Sequence, residues 1–153
     1  MKEYLKPTND FIFKYLFGRE KSKTNLLSFI NAVQQDAGFP EIVKVEIKTP
    51  FNPAEYLDEK TSILDIKATT KSGEQFNIEM QNTGNDSFKN RSLYYWAKMY
   101  TSQIQRGSQW YLLKPSICIN ILNFTLFKNT KKEHNCFLLK EKDQNFLFTD
   151  NST

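Results

Sequence analysis

Alternation with a period of two runs through Ser62–Gln81 and dictates what this chain can build. Leu64, Ile66 and Ala68 alternate with Ile63, Asp65 and Lys67, while Phe76, Ile78 and Met80 alternate with Asn77, Glu79 and Gln81. Side chains that change face at every residue make a strand. Lys71-Ser72-Gly73 separates the two runs. A three-residue loop with glycine last is a common hairpin connection, because its final position takes a positive φ. The stretch therefore predicts one antiparallel hairpin, with Thr70 facing Glu74 and Asp65 facing Glu79.

Directly opposed residues hold their Cβ atoms roughly 4.5–5.5 Å apart, and like charges at that range repel. A divalent cation would offset the repulsion, since magnesium takes one or two carboxylates together with waters and phosphate oxygens. A hairpin with one solvated face, its carboxylates splayed into water, satisfies the same pattern. A slip of one residue would put the two acids on opposite faces.

Composition narrows the remaining chemistry. The length of 153 residues suits one domain with its own core. Two cysteines, Cys118 and Cys136, and one histidine, His134, rule out a zinc constellation and make triad catalysis unattractive. Cys118 lies in an apolar run and reads as a packed thiol. A net charge of +4 is compatible with nucleic acid without requiring it. No run approaches the 18 or so apolar residues of a membrane span, and no signal peptide opens the chain, so a cytoplasmic protein is expected.

The rest of the chain reads as helices around that hairpin. Thr8, Asn9 or Asp10 can cap a helix through Phe17, with Gly18 ending it. A second helix is predicted from Lys23 to Asp36, burying Leu26, Leu27, Phe29, Ile30 and Val33 and stopping at Gly38. Ile42–Lys48 alternates as a half-buried strand, and Pro50 and Pro53 mark Thr49–Asp58 as a loop. A helix is predicted from Lys89 to Gln105, with Arg91, Tyr95, Lys98 and Ser102 on one face and Tyr94, Ala97, Thr101 and Ile104 on another. Ile117–Phe127, apolar on both faces near its start, suits a central parallel strand reached by a right-handed crossover. Phe137–Lys140 and Phe146–Thr149 predict a short hairpin at the sheet edge.

Asp65 in Ile-Leu-Asp-Ile, followed by Asn77-Ile-Glu-Met-Gln81, resembles the PD-(D/E)XK nuclease core, and more narrowly the recombination-promoting nuclease and transposase family. The ordered set also takes in Thr8–Gly18, Lys60–Asp65, Arg91–Tyr95 and Gly107–Leu122. The resemblance implies an α/β fold with a restriction-endonuclease-like three-layer core, a central mixed sheet flanked by helices in the order αβββαβ. It implies a single nuclease-like domain over residues 1–153. Relatives usually continue with a helical C-terminal half, so a natural short form or a truncated chain is expected. The activity implied is metal-dependent DNA cleavage, with Mg²⁺ or Mn²⁺ as cofactor and DNA as partner.

Asp65 and Glu79 are the expected metal ligands, with the carbonyl of Met80 beside them on strand backbone facing the same cleft. Gln81 occupies the motif position where the wider superfamily carries lysine; its amide can orient a water but brings no charge. Lys67, two residues from Asp65 on the same face, is one source of a cation, and Lys98 and Arg91 on the following helix are rivals. Asp10 matches the family's first-helix acid and could reach the metal, though a first-turn acid also favours the helix dipole. Lys14 could meet a phosphate or be an exposed helix lysine. Tyr95 could position water or DNA, or be buried with its hydroxyl bonded. Gln103 could do no more than pack at the helix end. Two other classes stay open: an inactive module of this fold that binds DNA or regulates, and an interaction protein that pairs with a second copy or a longer family member.

Overall fold

Asn9 opens the first helix. Its extended backbone lets the side-chain oxygen accept from the Ile12 N–H at 3.2 Å, so of the three available caps this is the one used. The computed structural model describes residues 6–49, 65–84 and 86–149, and of Asp65 the backbone alone. Helix α1 spans Asp10–Phe17 and ends on Gly18, whose N–H bonds the Lys14 carbonyl in ordinary right-handed geometry. A 3-10 turn, Glu20–Ser22, leads into helix α2, Lys23–Asp36. There the glycine is needed: Gly38 takes φ 82°, its N–H bonds the Gln35 carbonyl, and the Phe39 N–H reaches back to Gln34 at 2.9 Å. This is a Schellman closure.

Four strands follow the order β1 (Val45–Ile47), β2 (Asp65–Thr70), β3 (Gln75–Gln81) and β4 (Ser116–Leu122) across one sheet. β1, β2 and β3 run antiparallel, and β4 lies parallel to β3. Helix α3, Phe88–Thr101, makes the crossover between β3 and β4. One face of the sheet is apolar. Val45, Ile66, Phe76, Ile78 and Ile119 pack there with Phe13 of α1 and with Leu26 and Ile30 of α2. The other face is polar and carries α3, where the Trp96 indole N–H donates to the Ser116 carbonyl at 2.8 Å and Asn120 Nδ2 to Ser92 Oγ at 3.0 Å. The result is the three-layer α/β fold with a mixed sheet that the resemblance implied. No helix among the described residues is long and apolar enough to cross a membrane.

Several boundaries differ from expectation, each for a local reason. β1 pairs only from Val45, because Asn31 of α2 binds both the N–H and the carbonyl of Ile42 at 2.8 Å and turns the preceding segment away; Val43 is 90% exposed. α3 stops at Thr101, where Ser102 caps back onto Lys98. Its sheet-facing contacts come from Arg91, which one predicted face contained, and from Ser92 and Trp96, which neither did. β4 ends at Leu122 and is an edge strand among the described residues, not a central one. Its apolarity answers the helical layers on the two faces of the sheet. The C-terminal hairpin is one bridge, Lys140 with Leu147, outside the four-stranded sheet. The loop from Pro50 to Asp58, Ser62–Leu64 of the predicted hairpin and Asp150–Thr153 lie outside the described residues.

Candidate active site

The loop closes the hairpin in the expected register. The Thr70 N–H donates to the Glu74 carbonyl at 3.0 Å, and Gly73 takes φ 97°. A side chain at Gly73 would also meet Lys114 Cγ at 3.1 Å. The Glu74 carboxylate accepts from Thr70 Oγ1 and Ser72 Oγ, which fastens the turn from inside. Asp65 is then paired with Glu79, and Lys67 with Asn77. With Thr70 and Glu74 joined by a backbone bond, alternation makes Asp65 and Glu79 a non-hydrogen-bonded pair, the kind that brings side chains closer.

Glu79 is the buried centre of a polar row. It is 9% exposed, and Asn77, two residues before it, is 5% exposed. Asn77 Nδ2 donates to one carboxylate oxygen at 3.1 Å, and Gln81 Nε2 to the other at 3.3 Å. Arg91 Nη2 donates to Gln81 Oε1 at 2.6 Å. Asn77, Glu79, Gln81 and Arg91 thus form one continuous chain on the α3 side of the sheet. Two neutral amides hold both carboxylate oxygens in place without neutralising the charge. Sequence reasoning missed Asn77, although its spacing of two from Glu79 was the signal.

The other candidates fall at different distances from this row. Asp10 reaches the end of β3, accepting from Asn82 Nδ2 at 3.3 Å. Asn82, next after Gln81, is a second residue the sequence reading did not single out. Lys14 is buried, at 8% exposure, and is not the exposed helix lysine of the simpler reading. Lys67 and Lys98 are exposed. Tyr95 is 40% exposed beside Tyr94, with ring centroids 5.7 Å apart, so it is not a buried aromatic. Gln103 is a structural clamp, its amide bonding both the N–H and the carbonyl of Lys114 at 2.9 Å and also Ser116 Oγ.

Burial pushes the Asp10 carboxyl up, and Lys14 one turn along partly pulls it back. A carboxyl whose folded pKa exceeds its unfolded value favours the fold while protonated, and that benefit is lost as pH rises through the folded value. Asp10→Asn keeps an oxygen for Asn82, and because burial outweighs the helix-dipole and Lys14 contributions to this carboxyl it should raise Tm at pH 7. The gain should vanish below the unfolded carboxyl pKa of about 3.9, as thermal melts across pH would record.

The donor set suits a hard divalent cation. Among the described residues no three His, Cys, Asp or Glu cluster together, but the oxygens present are of the right kind. The Glu79 carboxylate is buried, and Asn77 Oδ1 beside it is a buried oxygen with no hydrogen-bond partner. The Gln75 N–H bonds Pro115 and the Gln81 carbonyl accepts from Asn123, so odd-numbered peptides of β3 turn to β4. The peptide groups of Met80 consequently face the side of β2, the strand of Asp65.

A four-stranded mixed sheet flanked by helices, with Asp65 paired to Glu79 across its central hairpin, is consistent with the restriction-endonuclease-like fold. The model of the PD-(D/E)XK nuclease family transposases matches residues 7–153, and the chain belongs to that family. Comparison with curated proteins and with solved structures finds no match.

Proposed function

We propose that this nuclease-like domain is a metal-dependent DNA endonuclease, hydrolysing phosphodiester bonds and promoting recombination through the breaks it makes. The observation that carries the reading is the pairing of Asp65 with Glu79 across the hairpin, with Gln81 on the same face. Asp65, Glu79 and the Met80 carbonyl would hold the cation, Mg²⁺ or Mn²⁺, and the open valence of Asn77 Oδ1 supports a cation or its water at this place. A bound divalent ion supplies an activated water and relief of charge on the phosphate oxygens.

The protein's own part is positioning. Asn77 and Gln81 fix the Glu79 carboxylate from both sides, so no side-chain freedom is lost when a ligand arrives. Lys98 and Tyr95, exposed on α3, would meet DNA in this reading, whereas the buried Lys14 suits an internal partner better than a phosphate. Asp10 lies at the Gln81 end of the row through Asn82 and would bias that end against stray anions.

Supercoiled plasmid incubated with Mg²⁺ or Mn²⁺ should be nicked by the protein and left intact by Asp65→Ala. Equal nicking by both proteins, or none with any of several divalent metals, would refute the reading. DNA binding that persisted without cleavage would then mark an inactive module of the same fold.

A further inference from the structure

Gln81 stands where the wider superfamily carries a lysine, and in this chain its side-chain oxygen is held by a guanidinium. Arg91 Nη2 lies 2.6 Å from Gln81 Oε1, and Gln81 Nε2 lies 3.3 Å from Glu79 Oε2. The positive charge is therefore spaced from the Glu79 carboxylate by the width of one amide. We propose that Arg91 supplies the cation the third motif position lacks, contacting the scissile phosphate, and that Gln81 is the positioning residue that holds it there. The inference rests on the nuclease reading and names the group that would meet the substrate's charge.

Three features favour Arg91 over the other cations. It is half-buried, so its field is screened less than that of Lys67 or Lys98, both exposed. Its guanidinium carbon lies 5.7 Å from the centroid of the Phe88 ring in the first turn of α3, within cation–π reach. Gln81 engages one N–H of a planar fork with five donors, a shape that matches two phosphate oxygens at once. The choice of glutamine follows from the same geometry. A carboxylate at position 81 would pair with Arg91 and cancel its charge, while an amide holds it without doing so.

The experiment compares the wild type with Asp65→Ala, Arg91→Gln, and Arg91→Gln combined with Gln81→Lys. Arg91→Gln removes the charge and, being shorter, also the donor to Gln81, so the salt slope and the double variant separate the charge from the lost bond. We expect kcat for plasmid nicking to fall on the order of 10²- to 10³-fold with a much smaller change in KM. Adding Gln81→Lys, which returns a cation to the strand, should recover at least about tenfold of that loss. In EDTA, the slope of log affinity against log salt for a DNA duplex should drop by about one in Arg91→Gln. Wild-type cleavage by Arg91→Gln, an unchanged salt slope, or no recovery in the double variant would each overturn the assignment. If the wild type cleaves in an Asp65-dependent way and Arg91→Gln does too, only the role of Arg91 falls. If the wild type never cleaves, the nuclease reading falls first.

Discussion

Glu79→Gln should reduce Mg²⁺-supported nicking on the order of 10²- to 10³-fold while leaving the fold intact. The replacement is nearly isosteric: Asn77 can turn its amide to accept from the new NH2, while Gln81, fixed by Arg91, goes on donating to the remaining oxygen. What changes is the charge offered to a cation. A calorimetric readout separates this from general damage. A ligand present at a hundred times its Kd stabilises the protein that binds it by about 2.7 kcal/mol. Mg²⁺ titration should therefore raise the Tm of the wild type and leave that of Glu79→Gln unmoved. An equal Mg²⁺ shift in both proteins would remove Glu79 from the ligand set even if activity were lost.

Phe76→Ala is expected to carry the largest stability loss, about 3–5 kcal/mol. Phe76 is 1% exposed and is the second residue of β3, paired with Ala68 on one side and Ile117 on the other. Its neighbours are held by two ladders of backbone bonds, so the cavity cannot collapse around the missing ring. Domains of this size are stable by only about 5–15 kcal/mol, and urea melts should show a clear drop in midpoint. Leu93→Ala serves as the control: Leu93 is 63% exposed on α3 and its loss should stay within about 0.5 kcal/mol. Comparable losses for the two would mean that the apolar face of β3 is not the core.

The hairpin was legible from the sequence because two local rules agreed. Alternation set the faces of Ile66, Ala68, Phe76 and Ile78, and Lys71-Ser72-Gly73 set the register that opposes Asp65 and Glu79. Helix α2 was legible over about its whole length for a similar reason, since a buried stripe ended at a glycine that closes a helix. The face of α3 was not legible. That helix rests on polar strand positions through Arg91, Ser92 and Trp96, and such contacts leave no apolar period to read. β1 was read too long because Ile42 alternates correctly but is held by a side chain from α2, a contact distant in sequence. β4 pairs parallel as expected but lies at the edge among the described residues, because burial on both faces of a strand reports the layers above and below it, not the strands beside it. Within the site, the acid pair was legible from spacing, whereas the bond between Gln81 and Arg91 depends on where α3 docks.

The even and odd positions of β3 behave like two interleaved reading frames. One inserted residue between Gln75 and Gln81 would transpose them, driving carboxylate and amides into the oil-like layer and Ile78 into the cleft. Two inserted residues would restore the frames but carry the glutamate one step past its aspartate. A change of length inside β3 would therefore dismantle the acid pair, whereas a substitution leaves its frame intact.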